Sequence, residues 1–227
     1  MGPFFMSKAQ RLLCLSVLVL NNTYLLWLLF NIRGVLGLIL LITEVIFTFS
    51  FNMFVFNHWS QKNTGRSFRK ATGSLDVFLP VVNEPLEIFE TTLKAAAAIY
   101  YQDIKVYVLD DGNREEIRRL ANAYGAVYLA RPTHEHSKAG NLNYGLRHSK
   151  GDFILCLDAD QVVSPNIAIE LLGHFQTTPK LAYVTTRQKY LVPSKDFNND
   201  YLFYLHMQAG KNRHNAAIST GTGVFVK

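Results

Sequence analysis

Cysteine is nearly missing from this 227-residue chain, with Cys14 in an apolar run and Cys156 in a strand candidate. Two thiols so placed exclude a disulfide framework, and the folded part suits a reducing compartment. Acid is nearly missing from residues 1–70, where Glu44 stands against seven basic side chains: Lys8, Arg11, Arg33, Lys62, Arg66, Arg69 and Lys70. The remainder balances at 16 Lys/Arg and 16 Asp/Glu, so the whole formal excess of +6 belongs to the first segment. A nucleic-acid binder carries its basic patch on the folded domain, so this distribution argues against one. Internal repeats and low-complexity tracts are also lacking. His134 and His136 have no third ligand at convincing spacing, which removes a zinc site.

What the basic residues flank is apolar. Residues 12–30 and 34–56 each supply about 20 residues, which at about 1.5 Å rise per residue match a hydrocarbon core of about 30 Å. Asn31-Ile32-Arg33 leaves room for a tight turn, so the two runs read as a helical hairpin. Lys8 and Arg11 precede it and Lys62, Arg66, Arg69 and Lys70 follow it. The positive-inside bias therefore places the N-terminus and the following domain in the cytosol, as a multi-pass membrane protein. A cleaved signal peptide fits poorly, because the first run is too long and no small-residue cleavage site follows. Asn21-Asn22-Thr23 has glycosylation-acceptor letters but lies within an apolar span. Glu44, near mid-span, is either a functional carboxylate or a tolerated, protonated one. The expected organisation is residues 1–11 as a cytosolic N-terminus, 12–57 as two membrane helices, 58–74 as a linker and 75–227 as one domain.

From Leu75 onward, short apolar runs alternate with amphipathic ones. Strand candidates are 76–80, 104–109, 126–130, 153–157 and 181–185; helix candidates are 86–100, 115–124, 139–147 and 165–175. This alternation predicts an α/β domain with a largely parallel, Rossmann-like sheet, whose ligands bind beyond the carboxyl ends of the strands.

Three motifs fall at those ends. Asn83-Glu84-Pro85 leaves the first strand, and capping of the next helix accounts for it equally well. Asp110-Asp111-Gly112 follows the second, where an acid can accept bonds from a nucleoside and Asp-Gly is also a common turn pair. Asp158-Ala159-Asp160 follows an apolar strand, and strand alternation would send both carboxylates to one side. Paired acids at a buried strand end need compensation, which Mg²⁺ or Mn²⁺ with substrate phosphates supplies. Lys138 opens a helix, where amide groups and a cation together attract anions. Gly140 allows close approach beside it. Residues 190–204 and 207–215 form an aromatic and basic stretch that suits either sugar rings or a membrane interface.

The ordered set Val82-Asn83-Glu84-Pro85, Asp110-Asp111-Gly112, Glu135-His136-Ser137-Lys138-Ala139-Gly140-Asn141 and Asp158-Ala159-Asp160 resembles the family-2 inverting glycosyltransferases. Within them it is most similar to bacterial cellulose synthase catalytic subunits and related processive β-glucan synthases. The resemblance implies a GT-A fold, a UDP-sugar donor carrying glucose, a glucan acceptor and a divalent metal. It places Asn83 and Glu84 beside the nucleoside, Asp110 at the uracil or ribose and Lys138 at the nucleotide and its phosphates, with Asp111, Gly140 and Asn141 as further substrate-binding residues. Asp158 and Asp160 become the metal ligands, and Thr220-Gly221-Thr222 stands near the acceptor, where the family has Cys-Gly-Ser/Thr. Val81-Val82 replaces the usual Thr-Tyr, and Gln161 replaces a frequent His. The family's Thr-Glu-Asp base and Gln-x-x-Arg-Trp motif do not occur before Lys227, so the chain reads as a fragment lacking its general base. Accessory subunits of a synthase complex are further expected partners. Alternative readings are a lipid-directed or other sugar-nucleotide transferase, and an inactive UDP-binding or scaffold protein.

Overall fold

The computed structural model describes residues 7–59, 64–67, 69–193, 195–196 and 207–227. Lys62 of the basic flank and most of the aromatic stretch 190–204 lie outside these. The chain forms two compact units: Met1–Thr64 with Gln188–Ile218, and Gly65–Arg187 with Ser219–Lys227. Residues 188–218 thus group with the apolar segment.

In the first unit, α1 (Lys8–Asn31) and α2 (Gly34–His58) are joined through Ile32 and Arg33. Both are long and apolar enough to cross a membrane. Ser7 and Gln10 form a reciprocal capping box at the start of α1, which satisfies two of its orphan N–H groups. The polar patch in the first run faces its partner helix. Asn21 donates to Thr48 Oγ1 at 3.1 Å, and the amides of Asn22 and Asn52 exchange two bonds of 3.3 and 3.1 Å. Apolar side chains such as Leu20, Phe30 and Leu36 point outward. Helix α8 (Gln208–Arg213) lies on the end of α2: Gly210 sits so close to the Asn57 carbonyl that no side chain fits, and the His214 ring stacks on Phe56 at 4.7 Å.

The second unit is a six-stranded sheet of β1 (Leu75–Val81), β2 (Ile104–Asp110), β3 (Val127–Leu129), β4 (Phe153–Cys156), β5 (Tyr183–Thr185) and β6 (Val224–Val226). Its order is β3-β2-β1-β4-β6-β5. β1 to β4 pair in parallel, and β6 alone runs antiparallel, between β4 and β5. The chain winds outward from β1 through β2 to β3 and then returns to the other side of β1. That reversal puts the switch point between β1 and β4. All seven residues of β1 are buried, as expected for a central strand covered on both faces. The crossovers are α3 (Leu86–Ala97), α4 (Glu115–Ala123) and α5 (Ser137–His148). Phe89, Leu93 and Ala96 of α3 and Ile117 and Ala121 of α4 bury the i, i+3/i+4 stripe of each helix in the main core.

Two sequence expectations change in detail. The helix expected over residues 165–175 divides into α6 (Ile167–Leu171) and α7 (His174–Thr177) around Gly173. A Cβ there would collide with the Arg69 carbonyl, so the break lets the segment before β1 pack closely. And β4 ends at Cys156, with Gln161 N–H bonded back to Asp158 O at 3.1 Å in a turn. Strand alternation therefore stops before Asp158-Ala159-Asp160, because the pleat ends where the ladder does.

At the amino edge of the sheet, the buried Asp76 carboxylate accepts from the N–H groups of Lys150 and Gly151 at 3.1 and 2.8 Å. A Cβ on Gly151 would stand 2.7 Å from the Asp76 carboxyl carbon. Asp76→Ala strands two backbone donors, so it is expected to cost about 2–4 kcal/mol. Thermal unfolding measures this, and an unchanged Tm would show that the latch is dispensable.

Candidate active site at the carboxyl edge of the sheet

The loops after β1, β2 and β4 carry the motif residues, and side-chain bonds tie them together. After β1, the chain turns at Val82-Asn83-Glu84. Glu84 does not cap α3, whose N-cap is Pro85 with no side-chain bond. Its Oε2 instead accepts from Val82 N–H at 2.7 Å, and its carbonyl accepts from Arg114 Nη1 at 2.9 Å. Asn83 is exposed on this turn.

After β2, Asp110 is 1% exposed. Its Oδ1 accepts from Gly112 N–H at 2.8 Å, and its Oδ2 accepts from Arg114 N–H at 2.6 Å and Tyr128 O–H at 2.9 Å. Asp110 is thus an organiser of the loop, with both oxygens engaged. Gly112 is required where it stands, because a Cβ would run into the Val82 carbonyl. Asp111 points the other way, into a buried ion pair. Arg131 Nε and Nη2 reach its two oxygens at 2.5 and 2.7 Å, and the side chains are 5% and 7% exposed. This fork-to-fork geometry is the strongest form of carboxylate recognition.

Arg131 does more than pair. Its Nη1 donates to Glu135 O at 2.5 Å and its Nη2 to Ser137 O at 3.0 Å. Between those carbonyls, His136 and Ser137 take left-handed backbone angles, φ 60° and 45°, unusual for side-chain-bearing residues. The guanidinium therefore holds a strained turn immediately before Lys138. Gly140 is packed so tightly on the Glu135 carbonyl and Arg131 that a Cβ is excluded. Asn141, 1% exposed, donates from Nδ2 to Leu109 O at 2.7 Å and fastens α5 to the end of β2.

Held this way, Lys138 extends to the third motif. Its Nζ donates to Asp158 Oδ1 and, at 3.1 Å, to Gly221 O. Asp158 N–H donates to Thr222 Oγ1 at 2.8 Å, and Thr222 O–H donates to Gln161. The loop before β6 is thereby locked to the loop after β4. Asp158 is half-buried; Asp160 and Thr220 are exposed. Burial pushes the Cys156 thiol up to about 11, outweighing the nearby Lys138 ammonium.

The donor set suits a hard cation. Asp158 and Asp160 offer carboxylate oxygens, and a lysine ammonium already sits on one of them. Among the described residues no group of three His, Cys, Asp or Glu could hold an ion, so Asp158 and Asp160 alone would not complete a coordination shell. His134, exposed, lies 3.8 Å from Asp111.

Three residues in this network had no distinct sequence signal. Arg131 is one arginine after a short strand, Tyr128 is an ordinary strand aromatic, and Arg114 is the N-cap of α4. Arg114 Nε and Nη2 are buried donors that meet no protein acceptor.

An open, mostly parallel sheet with acidic and basic groups gathered beyond its switch strands defines a doubly wound α/β domain. Residues 76–226 match the model of Glycosyl transferase family 2, and the chain belongs to that family. It is 33% identical over 166 residues to cellulose synthase 1 of Komagataeibacter xylinus, covering 68% of this chain and 11% of that protein. Against the cellulose synthase catalytic subunit (UDP-forming) of Xanthomonas axonopodis pv. citri it is 32% identical over 166 residues, covering 68% of this chain and 23% of the relative. The chain thus spans well under a third of the curated relatives it matches. Among solved structures, the mannosyltransferase PcManGT from Pyrobaculum calidifontis in complex with GDP-Man and Mn²⁺ superposes with a TM-score of 0.45 at 21% identity, over 58% of this chain and 38% of that one.

Arg131→Met leaves Asp111 buried without its partner and releases the 135–137 turn. The expected loss is about 3–5 kcal/mol of stability, with Arg131→Lys recovering only part of it. Denaturant titration of both variants decides this, and two wild-type-like midpoints would contradict it. A second consequence concerns pH. Burial, with the bond to Asp110, pushes the Tyr128 phenol up to about 12. Its contribution to stability is full below pH 10 and is lost as pH rises through about 12. Tyr128→Phe should flatten that part of the stability profile, and an identical alkaline limb in the variant would refute the coupling.

Proposed function

We propose that this chain is part of a membrane-anchored enzyme that transfers glucose from UDP-glucose to a growing β-glucan by inverting displacement, on the cytosolic side of the inner membrane. The observation that carries the reading is the chain of bonds from Asp111 through Arg131 and the 135–137 turn to Lys138 and Asp158. It gathers the ends of β2 and β4 and the start of α5 around one locus. The identity to bacterial cellulose synthases supports glucose and UDP; the two long apolar helices with flanking basic residues support the membrane and the orientation. A glucan acceptor and accessory synthase subunits belong to the same reading.

In this reading Asn83, Glu84 and Arg114 border the nucleoside, with Arg114 Nε and Nη2 as donors for its carbonyl or hydroxyl oxygens. Asp110 shapes this pocket from behind, and contact through it requires exchange of the Tyr128 bond. The free N–H groups at the start of α5 and the Lys138 ammonium face the diphosphate, an anion site of helix terminus and cation together. Mg²⁺ or Mn²⁺ held by Asp158 and Asp160 with the diphosphate oxygens would supply Lewis-acid stabilisation of the departing UDP. With a diphosphate bound, Lys138 would pass from Asp158 to phosphate, which would free the Asp158 carboxylate to hold the cation. Thr220 and Gly221, on the loop that Lys138 bonds, lie toward the acceptor, whose hydroxyl proton a carboxylate general base must take.

Isothermal titration with UDP, with and without Mg²⁺, tests the site directly. Metal-dependent binding is expected in the parent chain. Asp158→Asn together with Asp160→Asn should abolish the metal dependence while leaving the thermal midpoint within a few degrees. Metal-independent affinity, or none, in the folded parent would sink the reading. Acceptor profiling with short glucans against polyprenyl phosphate separates glucan synthesis from lipid-directed transfer.

A further inference from the structure

The first unit contains a cavity that the proposed reaction does not use. It measures about 510 Å³, within the range of about 300–1,000 Å³ typical of small-molecule pockets. Leu15 and Leu18 of α1 and Met53 and Phe56 of α2 form apolar walls. The Asn22–Asn52 amide pair marks its deep end, and Trp59, Arg213 and His214 line its other end. From Asn52 to Trp59 is two turns of helix, about 10 Å, which is the depth of the boundary between headgroups and acyl chains.

Its mouth is cationic and short of counter-charge. Arg213 makes no ion pair or side-chain hydrogen bond among the described residues. Arg11 lies with its guanidinium 5.8 Å from the Trp59 ring centre, and its Nε is buried without an acceptor. Across Met1–Thr64 and Gln188–Ile218 the sequence holds eight Lys/Arg against three Asp/Glu. The acid within the hairpin, Glu44, is two helical turns further along α2 from Asn52, toward the far end of the pair. An anion at this end would answer the Arg213 guanidinium that lines the cavity, with Arg11 beside the lining Trp59, and an apolar tail would fill the walls.

We propose that this cavity binds one anionic phospholipid, its phosphate on Arg213 and Arg11 and an acyl chain between α1 and α2. The inference rests on the hairpin lying in a bilayer. A free phosphate has no use for the walls, and a zwitterionic lipid would bring its ammonium against the same guanidinium groups. The bound lipid would fasten α8 to the helix pair, since Arg213 ends α8 and His214, next to it, stacks on Phe56.

The chain has two tryptophans, Trp27 and Trp59, which allow both premises to be read separately. The full chain would be reconstituted in vesicles containing either phosphatidylglycerol or phosphatidylcholine brominated on the acyl chain, at matched mole fractions. In Trp59→Phe, the remaining Trp27 should be quenched equally by both lipids, reporting insertion. In Trp27→Phe, Trp59 should be quenched more strongly by the brominated phosphatidylglycerol. Adding Arg213→Gln should lower that preference about fivefold, while Arg213→Lys retains most of it. Quenching of Trp27 with no headgroup preference at Trp59 would overturn the lipid site alone. Absence of Trp27 quenching would take the membrane reading and the lipid site down together. Glycerol phosphate added to the water should leave Trp59 unchanged; displacement by it would reassign the site to a soluble anion.

Discussion

The buried bidentate pair of Arg131 and Asp111 is the constraint on which the site depends. Two charges removed from water repay their desolvation only if the geometry is good and further hydrogen bonds take up remaining donors, and Arg131 adds two such bonds, to the Glu135 and Ser137 carbonyls. Those carbonyls belong to a turn that carries two left-handed residues, a conformation that costs energy and persists only when its surroundings enforce it. The ion pair is the enforcement. Without it the turn has no reason to hold Ser137 and Lys138 at the head of α5, and the third motif loses its cation.

This explains why residues spread over some 140 positions act as one unit. The sheet supplies the coarse placement: parallel strands with a switch point bring the loops after β1, β2 and β4 to one edge. Glycine supplies the close approaches, Gly112 to Val82 and Gly140 to Glu135, where a methyl group would separate the loops. Side-chain bonds then complete the junction, with Asn141 fastening α5 to β2 and Thr222 fastening the loop before β6 to Asp158. Each level narrows what the next must specify.

The scaffold was legible in the sequence because burial on both faces writes itself as continuous apolar runs. The expected strands 76–80, 104–109 and 153–157 are largely apolar runs, and β1 (Leu75–Val81), β2 (Ile104–Asp110) and β4 (Phe153–Cys156) fall on them to within a residue at each end. The acidic motifs were legible because carboxylates directly after a buried strand are costly unless something answers them. What answers them was not. Arg131 and Tyr128 reach their partners across β3, whose three residues give little period to read, and a bond between positions 111 and 131 has no local signature. The polar patch at Asn21 and Asn22 looked like an interruption of an apolar span until the partner helix supplied Thr48 and Asn52. Gly173 falls inside the helix expected over residues 165–175, and it breaks that helix because another backbone passes at contact distance.

Charge balance links the site's resting arrangement to the reaction proposed for it. Asp158 and Asp160 stand at the end of a buried strand, and one of them already carries an ammonium. The Lys138–Asp158 pair is partly exposed, its side chains 42% and 38% accessible, so water screens it and it stores little energy. Asp111 and Arg131, by contrast, are closed off and committed. The division is functional in the proposed reading: the buried pair fixes geometry, while the exposed one can change partners at low cost. A diphosphate arriving with its cation would bring Lys138 a stronger anion and Asp158 a stronger cation in the same event. Neither side chain then passes through an uncompensated state, and the scaffold that aims them need not move.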